Sequence, residues 1–157
     1  RMKALLIMTL LLPLSLVAQV NSPAPATGVA KIYAQAIADF IKAANARNKT
    51  NFDTLFLGKR ENGQPDDFPD IQLPATIEGT KIILIAPDTG AKLQRERKQR
   101  TYINMMGWVE DSKAEFIFVV FSNGFSHQYD YHIHYTYNTK QKRFELSDIQ
   151  FKGPPFD

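Results

Sequence analysis

His132 and His134 stand two residues apart in YDYHIHYTY, 129–137. On an extended strand that spacing puts both imidazoles on one face. Asp130 shares their parity, and Glu115 lies on the preceding apolar run, within reach of a hairpin. Imidazole nitrogen and carboxylate oxygen are donors that zinc and similar divalent ions accept at ~2.0–2.2 Å. His132, His134, Glu115 and Asp130 are therefore the candidate metal ligands. The alternative is a polar sheet face in which His132 pairs with Glu115 and no cofactor is held. A histidine–carboxylate pair inside a semi-enclosed cup would also have the parts of a general base and its orienting partner. No residue is assigned a catalytic role. The chain has no cysteine, which excludes disulfides and thiol chemistry, and no G-x-S-x-G, H-E-x-x-H or phosphate-cradling glycine loop.

A second chemistry-bearing stretch is AKLQRERKQR, 91–100, where Lys92, Arg95, Arg97, Lys98 and Arg100 face only Glu96. It is a candidate arm for an anionic surface, a polysaccharide or an acidic partner. The bland reading is a solvated edge whose charges deter strand pairing. Across the chain, 19 basic residues against 16 acidic ones leave +3. Loss of Arg1 and Lys3 with an N-terminal leader lowers this to +1, so net charge does not call for a polyanion. The acidic loop with Asp66, Asp67 and Asp70 lacks the spacing of a calcium loop.

The elements that must position these groups follow from periodicity. Val29, Ile32, Tyr33, Ala36, Ile37, Phe40, Ile41 and Ala44 recur at helical steps, with Thr27 as N-cap, and predict a long amphipathic helix over 31–46. Phe52, Leu55 and Phe56 suggest a second, short helix opening at Asn51 and stopped by Gly58. The loop 58–70 follows, and then the period becomes two. Strands are expected at 81–86, 101–109, 114–122, 126–137 and 143–151, with turns at Pro87–Gly90, Asp111-Ser112, Asn123-Gly124 and 139–142. Trp108 is expected in the core, and Gly107 marks a bulge or a close backbone approach.

Parity divides the histidine strand. His127, Tyr129, Tyr131, Ile133, Tyr135 and Tyr137 share one face, an aromatic wall for the helix; Gln128, Asp130, His132, His134 and Thr136 share the other. A two-residue turn at Asn123-Gly124 sets Glu115 opposite His132 and Phe116 beside Tyr131. A four-residue connection moves Glu115 to His134 without exchanging the faces. Tyrosines interleaved with acids do not make a base-stacking platform, so no nucleic-acid partner is expected.

Residues 1–18 read as a secretory signal peptide: Met2 and Lys3, an apolar run over 4–17, then Ala18. Residues 19–28 form a linker, 29–152 a single α+β domain and 153–157 a C-terminal tail. No stable membrane span is expected after cleavage.

The helix, the trailing NFDTLF at 51–56 and the closing strand KRFELSDIQF at 142–151 resemble the cystatin-like, NTF2-like architecture. The resemblance implies a long N-terminal helix packed on a bent antiparallel sheet of four to six strands. It also implies a range of roles, from small-molecule isomerases, hydrolases and dehydratases to non-catalytic binding, accessory and immunity domains. The expected function is an exported, non-catalytic domain of a bacterial periplasm or extracellular space, binding an envelope protein or small ligand. A homodimer through the sheet is among the expected associations. The alternative is an NTF2-like enzyme or metal-binding protein using the histidine–carboxylate cluster.

Overall fold

The computed structural model describes residues 28–48, 52–59, 69, 71–85, 92, 101–122 and 127–153. One helix, α1 (Gly28–Asn48), precedes seven strands: β1 (Thr54–Lys59), β2 (Thr76–Ile77), β3 (Thr80–Ile85), β4 (Thr101–Val109), β5 (Lys113–Ser122), β6 (His127–Asn138) and β7 (Arg143–Lys152). They form one sheet in the order β2-β3-β1-β4-β5-β6-β7. The fold is α+β, as expected, but the sheet is larger than four to six strands and is mixed. β1 runs parallel to both β3 and β4, while the other pairs are antiparallel. The expected leader, residues 19–27 of the expected linker (Thr27 included) and the turns at 87–90 and 123–124 lie outside the described residues, as do all but Gly153 of the tail and much of the 58–70 loop; Gly28, expected to close the linker, is the first residue of α1.

The helix follows its apolar stripe. Ile32, Tyr33, Ala36, Ile37, Phe40, Ile41 and Ala44 are all buried, and only Val29 of the expected stripe is exposed. The stripe lies on the inner face of the sheet, built from Ile103 and Met105, from Phe116, Phe118 and Val120, and from Tyr129, Tyr131, Ile133 and Tyr135. Phe40 stacks on Phe118 with centroids 4.5 Å apart and meets Tyr131 edge-on at 5.3 Å. Polar ties hold the ends of this packing. The Tyr135 hydroxyl donates to Asp39 at 2.6 Å, and the Arg47 guanidinium sits 3.6 Å above the Phe151 ring.

The expected short helix at Asn51 is instead strand β1. Leu55 and Leu57 alternate inward and are buried, with Ile82 and Leu84 beside them on β3. Phe52, Leu55 and Phe56 match a helical face equally well, because a short apolar run fits both periods. Docking between two strands decides the conformation. No helix among the described residues is long and apolar enough to cross a membrane.

Gly107 is a close approach rather than a bulge, since the β4–β5 register runs through it unbroken. A Cβ there would come within 2.7 Å of the Phe116 ring and 2.8 Å of the Tyr33 hydroxyl. That hydroxyl donates to the Gly107 carbonyl at 3.3 Å, so the helix rests against bare backbone here. Gly107→Ala is expected to lower the unfolding free energy by about 1–3 kcal/mol through overpacking, read from urea denaturation.

Burial pushes the Tyr33 phenol up to about 12 from 10.0. A raised value means that its neutral form is favoured by folding. This stability is complete below the unfolded value and is lost as pH climbs toward the folded one. Alkaline titration should therefore remove up to about 2 kcal/mol between pH 10 and 12 at this position. Tyr33→Phe should flatten that part of the stability–pH curve.

Candidate metal centre on the outer sheet face

Residues paired across antiparallel strands share a face, so the register generates cross-strand rows. On the face away from α1, one row runs Trp108, Glu115, His134, Asp148 from β4 to β7. The next runs Met106, Ile117, His132, Gln150. Glu115 is opposite His134, and Phe118 rather than Phe116 is opposite Tyr131. This is the register of the four-residue connection, shifted by two from that of a tight Asn-Gly turn. The faces keep their assignment: Tyr129, Tyr131, Ile133 and Tyr135 are buried inward, and the two imidazoles are half-buried outward.

His132 reaches Glu115 along the diagonal between rows, its Nδ1 lying 3.6 Å from Oε1. The side chain of His132 is 15% exposed and that of Glu115 41%. His134 lies beside His132 with ring centroids 6.5 Å apart and planes 26° from parallel. One ligand atom from each of Glu115, His132 and His134 falls within 4.8 Å of the other two. Ligands on a tetrahedral zinc ion with ~2.0–2.1 Å bonds stand about 3.4 Å apart. The His132–Glu115 separation is already near that value, and it is longer than a charge-assisted hydrogen bond of ~2.7–2.9 Å.

A bulge falls at the site itself. The β6–β7 register shifts between His134 and Tyr135, leaving Ser147 as the extra residue of β7. Bulges of this kind re-aim side chains beside them. Of the four residues expected as ligands, Asp130 is left out of the convergence. It shares the outer face but lies one row further on, between Val119 and Lys152. Asp148 is directly opposite His134 and is engaged by Gln150, whose Nε2 donates to it at 2.9 Å. Of the basic arm, Lys92 is exposed, and Arg95, Arg97, Lys98 and Arg100 lie outside the described residues.

The outer face also carries a groove of about 520 Å³ with Trp108, Lys113, Glu115, His134 and Thr136 in its walls. Trp108 is therefore half-buried on the side opposite the helix, not part of the helix-facing core as the sequence reading has it. The signal for this placement is the Asp111-Ser112 turn. A two-residue connection there sets Trp108 across from Glu115 and Lys113 two residues before it, all of one parity.

No family model, curated protein or solved structure matches the chain.

The three donors project from the outer face of the sheet, away from the core packed against α1. Glu115→Gln, His132→Ala and His134→Ala are each expected to change the unfolding free energy by less than about 1 kcal/mol. Thermal and urea melts of the ion-free variants check this.

Proposed function

We propose that the protein is an exported, non-catalytic binding module whose binding centre is a divalent transition-metal ion held by Glu115, His132 and His134. The observation that carries this reading is the convergence of the three donors within 4.8 Å on a rigid strand pair. Two imidazoles and one carboxylate suit zinc, copper(II), nickel or cobalt better than the hard, oxygen-seeking calcium and magnesium. A non-catalytic role is favoured by where the histidines stand. They are on the face opposite α1, outside the helix-lined interior that an enclosed cup would require.

Export is supported by the charged, apolar and small-residue order of positions 2–18, and periplasmic or extracellular bacterial location is proposed with it. The cystatin-like, NTF2-like assignment is likewise a proposal. It is supported by one long N-terminal helix laid on an antiparallel β4–β7 meander, although the parallel pairing of β1 goes beyond what the resemblance implies. Fold likeness does not choose a function; the donor geometry favours metal.

The test uses the full chain expressed with its own N-terminal segment and purified from the envelope without a polyhistidine tag. One equivalent of zinc should bind by calorimetry. At about 100 times its dissociation constant, zinc should add roughly 2.7 kcal/mol of stability, seen as a clear upward shift of Tm. His132→Ala/His134→Ala should abolish both effects. Absence of any bound divalent ion, together with no thermal shift with zinc, would refute the proposal.

A further inference from the structure

Resting on that metal reading, we infer that the centre takes an oxyanion, the carboxylate or phosphoryl group of a small ligand. Lys113 is its second anchor and Trp108 the apolar support of its body. Three protein ligands leave a four-coordinate ion with one open position. Glu115 and His134 line the groove, whereas His132 is not among its walls. An ion held by all three would border the groove through Glu115 and His134, where a ligand in the cavity could take its open position. A volume of about 520 Å³ is that of a small-molecule site.

Charge selects the ligand. Without an ion the described residues of the groove carry two carboxylates, Glu110 and Glu115, against the ammonium of Lys113. A divalent ion reverses the balance from negative to positive. Anion binding is then conditional on metal. Spacing agrees: Lys113 and Glu115 are two apart on β5 and share a face, about 6.5–7 Å along the strand. The flexible four-carbon stem of Lys113 starts within that distance, close enough for its ammonium to reach an oxyanion held on the ion. The backbone at this end is held. The Glu110 amide donates to the Lys113 carbonyl at 2.8 Å, and the Tyr137 amide to that of Ser112 at 2.9 Å. Trp108 is directly across from Glu115 and lines the same groove, which makes its indole the apolar surface available to the ligand's body.

The experiment loads the full chain with cobalt(II), whose visible absorption reports coordination, and titrates inorganic phosphate, acetate and benzoate separately. Phosphate or a carboxylate should shift the cobalt bands saturably, and the ion-free protein should bind none of these anions by calorimetry. Which anion acts distinguishes a phosphoryl from a carboxylate ligand. Trp108→Leu should weaken benzoate while sparing acetate. Lys113→Gln should raise the anion's apparent Kd by about tenfold without weakening cobalt binding. A cobalt spectrum indifferent to all three anions at millimolar concentration overturns this inference and leaves the metal centre standing. No cobalt band at all removes the centre and the inference together.

Discussion

The stacking of α1 on the aromatic inner wall of β5 and β6 sets every other feature of the molecule. Phe40 lies nearly flat on Phe118, 7° from parallel, and Tyr33 meets Phe116 edge-on at 4.8 Å. Burying such rings supplies more of the driving force than any polar contact present. A strand alternates strictly, so committing Tyr129, Tyr131, Ile133 and Tyr135 to this wall leaves no freedom for the residues between them. Asp130, His132 and His134 are driven outward by the hydrophobic demand of their neighbours. The bare backbone at Gly107 and the Tyr135–Asp39 hydrogen bond follow from the same close docking.

The reverse face is not uniform. Toward β1 and β4 it is apolar: Tyr102 is buried and stacks on Phe121 at 5.2 Å, and its hydroxyl donates to Asn104 at 2.8 Å. Toward β6 and β7 it becomes polar and charged. The candidate metal centre lies at the border, where a tryptophan, a carboxylate and an imidazole occupy consecutive positions of one row. Two backbone ladders fix their spacing, so the donors are brought together by the sheet whether or not an ion is present. This is the kind of rigid support that a binding constellation requires. The bulge at Ser147 interrupts the edge strand beside His134 and makes β7 a poorer template for edge pairing.

The long helix, the four-strand meander from β4 to β7 and the two faces of the histidine strand were legible from the order of side chains. Each depends on a repeat of 3.6 or 2 sustained over many residues, and such repeats persist in any fold that buries them. β1 was not legible, because TLFLGK is too short for its period to be told apart from one helical turn. The groove was partly legible: the Asp111-Ser112 turn already aligns Trp108, Lys113 and Glu115.

What the order of amino acids determined by itself was parity: which side chains must travel together and which must be separated by a sheet. What only the tertiary structure decided was pairing at a distance. The placement of β1 between β3 and β4, parallel to both, depends on contacts between segments that no local pattern encodes. So does the two-residue choice that sets Glu115 opposite His134 rather than His132. Both registers bury the same aromatic face, so local alternation is indifferent between them, and only the strand pairing of the folded chain shows which one is used.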